Sequence, residues 1–286
     1  MTEWRDWVAW RRIVRVADDP MESAAAVGVD AARALGELAQ TVAALAPEAY
    51  PEAVLDGAEL LNQRRQGMAP IANLRNLVYL RAIDGVDGLI AALDEYVEHI
   101  ADASDRLAKV GADLISDAGT VLVHAHSTSV RAVLDEARGR GRWFTVTCTE
   151  ALPTGEGAEM ASELASAGYQ VELLTDGAAS EVIGGMDLVL AGAEALGPRS
   201  AINKVGTGDL AAAARRGGVP IYLVASTGKV LPPALFDDAA RLQGRMGVSE
   251  VVPLAAVTGV ITELGVLSAE EVSGLASRGA VAPELP

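Results

Sequence analysis

The chain has 286 residues, of which 50% are hydrophobic and 22% charged, and it carries a net charge of −16. It is long enough for a sizeable core and too apolar to be disordered. The acidic balance excludes a broad basic face for nucleic acid or for an anionic membrane surface.

Aromatic residues make up 4% of the chain, so Ala, Val and Leu must build the core. The single cysteine, Cys148, excludes an intramolecular disulfide and a cysteine-based zinc cage. Three histidines, His99, His124 and His126, are too few for a histidine-rich metal site. No metal and no cofactor are expected. Met1 to Val16 is charged and Trp-rich and lacks the apolar centre of a signal peptide. No apolar run is long enough to span a bilayer. These features lead us to expect a cytoplasmic protein.

Trp4, Trp7, Trp10 and Val14 recur at helical spacing, as a buried stripe, a subunit contact or a ligand-stacking face. Asp19–Pro20 ends that helix. Ala24 to Leu45 is Ala-rich and helical, Pro47 and Pro51 punctuate it, and Glu52 to Asn62 is helical again. Gln63 to Pro70 reads as a polar loop with Gly and Pro, after which helices resume at Ile71. Val86 to Gly111 contains a long helix. Residues 1–112 therefore form an all-helical domain.

Past Gly119 the pattern changes. Thr120–Ala125, Trp143–Thr149, Gln170–Thr175, Asp187–Ala191 and Pro220–Ala225 are short β-branched runs. Helical segments Ser129–Arg138, Gly157–Ser166, Ala179–Gly184 and Gly208–Arg216 alternate with them. Such alternation specifies an α/β fold, a Rossmann-like, doubly wound parallel sheet, over residues 113–286. Ligands of these sheets sit outside the carboxyl ends of the strands, so the segments after the strands are the candidates.

His124 to Ser129 opens a helix whose N-terminal amides can bind an anion; the plainer role for Ser127 or Thr128 is a helix cap. Thr149 to Gly157 is a loop in which Glu150 is either a ligand for a sugar hydroxyl or a surface carboxylate. Cys148, inside the preceding strand with no base beside it, reads as an inert core thiol. Glu194 follows a strongly apolar strand, where a partly desolvated carboxylate suits proton transfer. Lys204, one of three lysines, stands between Asn203 and Val205 in a segment read as a turn. It is an anion ligand or a solvated side chain. Ser226 to Lys229 offers hydroxyls and an amine to a phosphate or polyol. Arg64 and Arg65, followed by Gly67, can hold a phosphate through paired guanidinium contacts and free backbone N–H groups, or form a surface charge pair.

In order along the chain, these segments resemble one family. It contains methylthioribose-1-phosphate isomerase, ribose-1,5-bisphosphate isomerase and the regulatory alpha, beta and delta subunits of eukaryotic initiation factor two-B. The resemblance runs from Gln63 to the C-terminus. It rests on His124–Val130, Thr149–Pro153 with Gly157, Asp176, Gly192–Glu194, Asn203–Thr207, and Val252–Pro253 with Ile261–Gly265. Arg65 to Ala69 with Asn73 resembles the phosphate loop of the ribose-1,5-bisphosphate branch, with Pro and Thr replaced.

The resemblance implies a helical N-terminal domain and a Rossmann-like domain that dimerises. It also implies a phosphosugar or nucleotide ligand and no nucleic acid or membrane. In catalytic members a cysteine and an aspartate move the proton or hydride. Their positions are Ala125 and Glu194 here, and an arginine position is Leu152. As an enzyme, the protein would be an intramolecular aldose–ketose isomerase. Glu194 would be the acid/base, with His126, Ser127 or Asp176 assisting. Arg64, Arg65, Lys204 and Lys229 would hold phosphate, and Asn203, Glu150 and Asp176 sugar hydroxyls. The alternatives are a non-catalytic regulatory homologue that binds a sugar phosphate or nucleotide, and a translation-factor subunit proper.

Overall fold

The computed structural model describes residues 4–19 and 23–285. Pro20, of the Asp19–Pro20 break, lies outside them. The N-terminal region is helical: a 3-10 turn at Trp4–Asp6, then α1 (Val8–Asp18), α2 (Ala24–Leu45), α3 (Tyr50–Arg64), α4 (Ala69–Arg81) and α5 (Gly85–Ala112). Ser23 caps α2 by accepting the Ala26 N–H, and Pro47 follows its end. Along α2, Val27, Ala31, Leu35, Leu38 and Val42 share one face and are fully buried. Gly57 of α3 lets the two helices approach, since a Cβ there would stand 3.1 Å from both Leu35 and Leu38. The tryptophan stripe belongs to this core. Trp4 is buried, its ring centroid lies 4.9 Å from that of Trp10 in an edge contact, and Trp7 and Trp10 pack half-buried beside it.

Strands and helices then alternate: β1 (Gly119–His124), α6 (Thr128–Gly139), β2 (Phe144–Thr149), α7 (Glu156–Ser166), β3 (Gln170–Leu174), α8 (Asp176–Val182) and β4 (Leu188–Gly192). After β4 come β5 (Ala195–Leu196), β6 (Ser200–Lys204), α9 (Thr207–Gly217), β7 (Ile221–Val224), α10 (Pro233–Met246), β8 (Ser249–Pro253), β9 (Gly259–Thr262), β10 (Gly265–Leu267) and α11 (Ala269–Arg278). A seven-stranded sheet runs in the order β10-β9-β7-β4-β1-β2-β3, parallel except for the antiparallel edge strand β10. This is the expected doubly wound α/β arrangement. β1 lies inside it between β2 and β4, with Val121 level with Val146 on one side and Leu188 on the other.

The order of strands fixes where a ligand can enter. From β1 the chain steps outward to β2 and β3, then returns to the other side of β1 as β4. Crossovers on the two sides of such a reversal leave a crevice at the carboxyl ends of the two strands. Here those ends are His124 and Gly192, so the residues just beyond them, from Ala125 and from Ala193, flank the crevice.

Two expectations change. Of the Gln63–Pro70 loop, Gln63 and Arg64 are the end of α3 and Ala69 and Pro70 the start of α4. Lys204 beside Asn203, read as lying in a turn, ends strand β6 (Ser200–Lys204) of a second, antiparallel sheet of order β5-β6-β8. Ser-Ala-Ile-Asn-Lys has only one β-branched residue. Its strand state comes from pairing with β8, remote in sequence. The last turns of α5 leave the helical region, and Leu107 and Ala112 join the core of the parallel sheet. Gly111 makes this approach possible, since a Cβ there would stand 2.5 Å from Val133 of α6. No helix among the described residues is long and apolar enough to cross a membrane.

Candidate functional site

At the end of β1 the backbone turns sharply. Ala125 adopts φ 62°, a left-handed conformation uncommon for a residue with a Cβ. Ser127 then caps α6, accepting the Val130 N–H. His124 is buried, its Nε2 3.0 Å from the Val205 carbonyl and its Nδ1 2.7 Å from the Thr149 hydroxyl. A carbonyl can only accept, so Nε2 carries the proton and Nδ1 accepts from Thr149. Burial pushes the imidazole pKa down, against the opposing pull of the Val205 carbonyl and Asp176. The ring is a neutral strut between three strand ends. Ser127 also abuts the end of β4, because a Cβ on Gly192 would stand 2.9 Å from its hydroxyl.

The loop after β2 is held by its backbone. Asp176 accepts the N–H groups of Ala151 and Leu152 at 2.9 and 2.8 Å. The Glu150 amide donates to Leu174 O, and the Glu150 carbonyl accepts from Gly157. A Cβ on Gly157 would lie 1.6 Å from the Thr149 carbonyl oxygen, so only glycine fits. This close approach brings Glu156, the first residue of α7, over the sheet edge.

Glu194 stands between β4 and β5, where its own amide donates to Ile202 O. One carboxylate oxygen is 2.9 Å from Lys204 Nζ, and the other accepts from the Ser249 hydroxyl at 2.9 Å. Lys204 also meets Glu156 at 2.8 Å. Burial lowers the Lys204 pKa, but the hydrogen bonds and charges of Glu156 and Glu194 outweigh it and leave the ammonium above its ordinary value. Beside it, Asn203 is buried and donates to Thr207. Lys229 reaches the same place from the 3-10 turn Thr227–Lys229, donating to Ala193 O at 2.7 Å. Desolvation lowers its pKa, partly offset by Glu194.

The Lys229 turn is fastened from three sides. Asn73 of α4 donates to Gly228 O and Val230 O, both at 2.9 Å. His99 of α5 lies 3.0 Å from the Thr227 hydroxyl. Glu263, buried just after β9, accepts both the Thr227 N–H and its O–H.

Facing Glu194 and Lys229 is the loop between α3 and α4. Gly67 takes φ 75°, and Gln243 of α10 packs against it. Arg65 donates to the Val16 and Asp19 carbonyls at the end of α1, while its Nε is buried without a hydrogen-bond partner. Arg64 meets Asp18 at 3.3 Å. Arg64, Arg65, Gly67, Glu194 and Lys229 line one cavity of about 600 Å³.

The fold thus brings those five candidates into one space. Lys204 joins through Glu194, and Asn203 and Ser127 flank Gly192. Two others go elsewhere. His126 points along α7 to Glu163, at 3.2 Å. Asp176 lines a separate cleft of about 270 Å³ with His124, Thr149, Asp209 and Arg216. Glu150 sits half-buried at the start of its loop. Sequence reasoning did not single out Glu156, Ser249 or Glu263, and it read the Thr227 hydroxyl as a ligand group where the structure turns it to Glu263. Glu156 lay inside a segment already marked as a loop, and Glu263 inside a motif of the family resemblance; Ser249 carried no local signal.

Comparison with known proteins defines the class of chain that carries this site. The model of the Initiation factor 2 subunit family matches residues 21–269, and the chain belongs to that family. Its relatives include the ribose 1,5-bisphosphate isomerases of Haloferax volcanii, 32% identical over 82% of this chain and 75% of that one, and of Methanocaldococcus jannaschii, 26% identical over 88% and 89%. A putative translation initiation factor eIF-2B subunit 2-like protein of Pyrococcus abyssi is 30% identical over 69% and 71%. In three dimensions the fold is that of the Pyrococcus horikoshii translation initiation factor eIF-2B (TM-score 0.74, 24% identity, 91% of this chain and 96% of that one). It is also that of 5-methylthioribose 1-phosphate isomerase from the same organism (TM-score 0.68, 22% identity, 93% and 87%).

Proposed function

We propose that the cavity between the Arg64–Gly67 loop and the β4 edge binds a sugar phosphate of the ribose 1-phosphate type. In this reading residues 1–112 supply the loop and residues 113–286 the carboxylate. One observation carries it. Glu194 faces Lys229 and two arginines inside a single cavity, at the strand reversal where sheets of this kind bind ligands. The relatives named as isomerases of such sugars support the ligand class.

The reaction we infer is aldose–ketose isomerisation. Opening the ring breaks the bond from C1 to the ring oxygen, which takes a proton. Glu194 removes the proton from C2, leaving a C1–C2 enol, and returns it to C1 as the C2 hydroxyl gives its own proton to the neutral Lys229 amine and becomes the ketone. Lys229, whose ammonium is made more acidic by burial, is the donor to the ring oxygen. Arg64, Arg65 and the Gly67 backbone hold the phosphate, and Asn203 orients hydroxyls. Ala125 contributes no functional group. The protein would work without a cofactor, as a cytoplasmic homodimer.

A second reading is a regulatory homologue that binds the ligand without converting it. Both Glu194 oxygens are already engaged, by Lys204 and Ser249, which favours it. Thermal-shift titration with ribose 1-phosphate, ribose 1,5-bisphosphate, methylthioribose 1-phosphate and nucleoside monophosphates, followed by NMR of each hit, separates the two. Stabilisation with conversion supports the isomerase. Stabilisation without conversion supports the regulator. No stabilisation rejects the ligand class.

A further inference from the structure

Lys204 is the cation that a sequence reading assigns to phosphate, yet its ammonium is already matched. It touches Glu156 at 2.8 Å and Glu194 at 2.9 Å, two carboxylates against one amine. All three side chains are largely shielded, with 20% and 24% of their surface exposed, so solvent does little to weaken the contacts. The trio carries one net negative charge. An anionic group placed on it would have to displace a carboxylate from the ammonium and would then face that carboxylate unpaired.

The cavity wall in front of the trio has the opposite balance. Arg64, Arg65 and Lys229 bring three positive charges to it, the charge of Glu194 having already been counted in the trio. Asp18, at 3.3 Å from Arg64, cancels one of these and leaves two. A phosphate monoester carries about −1.5 to −2 at neutral pH. The wall therefore neutralises one phosphate, and the whole chain, at −16, supplies no background attraction for a second.

We infer that the site takes a sugar bearing one phosphate and rejects a bisphosphate, with Glu156 as the residue that sets this choice by consuming the charge of Lys204. The inference rests on the sugar-phosphate reading above and narrows it. The phosphate sits at the arginine loop, and the part of the ligand that meets Glu194, the member of the trio that lines the cavity, is hydroxyl-bearing and uncharged. Discrimination here comes from a like charge placed against the wrong ligand, not from an extra contact to the right one.

Titration calorimetry of the full chain with ribose 1-phosphate and ribose 1,5-bisphosphate tests this, with inorganic phosphate as a third probe. The expected result is that ribose 1-phosphate binds at least about tenfold more tightly than the bisphosphate, since the second phosphate is brought against like charge. Glu156→Gln, which removes the net negative charge of the trio and leaves Lys204 matched by Glu194 alone, should shrink that ratio about tenfold or invert it. Glu156→Asp, which keeps the charge, should preserve the preference and so separates charge from packing. Equal or tighter binding of the bisphosphate by the unaltered protein overturns the inference while leaving the sugar-phosphate reading in place. An unchanged ratio in Glu156→Gln likewise overturns the role of Glu156. Silence of both sugars and of inorganic phosphate overturns the ligand class itself, and the inference with it.

Discussion

Glu194 and Lys204 meet at 2.9 Å across the short hairpin of β5 and β6, each held by that hairpin's own register. The Glu194 amide donates to Ile202 O, two residues before the lysine, so backbone pairing sets the distance between the two charges. The pair is built into the scaffold and does not depend on the chance meeting of two long side chains.

Replacing Glu194 with Gln removes the proton acceptor and keeps the shape. In the isomerase reading, turnover should fall by about 10² to 10⁴ while the ligand dissociation constant moves by less than about tenfold. Rapid-quench or NMR assays of product formation, run beside calorimetry, check both numbers. Unchanged turnover would end the assignment of Glu194 as acid/base.

Gly157→Ala should be among the most damaging single changes in the chain. Its new Cβ would lie 1.6 Å from the Thr149 backbone oxygen, which cannot move without breaking the β2 edge. We expect a loss of about 3 kcal/mol or more in urea unfolding, at the upper end for an overpacked site. Gly155→Ala, two residues earlier with open space around it, should cost less despite its φ of 73°.

His124 predicts an acid limb of stability. Burial holds the folded imidazole below its ordinary pKa of 6.5, so the unfolded chain binds the proton first as pH falls. The stabilisation is therefore complete above about pH 6.5 and is lost as the pH drops toward the folded value. His124→Gln has no such titration. Urea midpoints for wild type and variant should lie a constant distance apart above that pH and converge below it. Parallel curves throughout would contradict the neutral buried state.

Glu263→Gln tests how the Lys229 turn is held. The carboxylate takes the Thr227 N–H on both its oxygens and the Thr227 O–H on Oε1, whereas a carboxamide keeps one acceptor oxygen and sets an NH₂ donor against that N–H. A stability cost of about 1 to 3 kcal/mol is expected from denaturant unfolding. Ligand affinity should weaken with it, because the turn carries Lys229 into the cavity. A variant with normal affinity would show that the turn holds without the carboxylate.

Much of this fold was legible along the chain. The Ala-rich run with a serine before it became α2 with its predicted ends, Ala24 and Leu45. The β-branched runs at Thr120, Trp143 and Gln170 became the adjacent strands β1, β2 and β3, each within a residue or two of the expected limits. Their signals are local: helical periodicity, capping and β-branching act within a few residues. The strand state of Ser200–Lys204 was not legible, because it depends on β8, and neither was the partnership of Ser249 with Glu194. The motif that holds Glu263 was visible, but its target, Thr227, lies on another strand end.

The candidate site divides in the same way. The placement of Glu194 and Lys229 at strand ends follows from the order of apolar and polar segments, which any parallel sheet must translate into one ligand-binding edge. That His126 turns away to Glu163, that Asp176 spends its carboxylate on two backbone amides, and that Lys204 is claimed by Glu156 were decided by three-dimensional packing. By itself the sequence determined the helical region, the parallel sheet and which residue types would crowd its carboxyl edge, because chain-local propensity and hydrophobic pattern suffice for that. Only the tertiary structure decided which charges remain free to meet a ligand, because charge pairing depends on distances of a few ångströms between residues far apart in the chain.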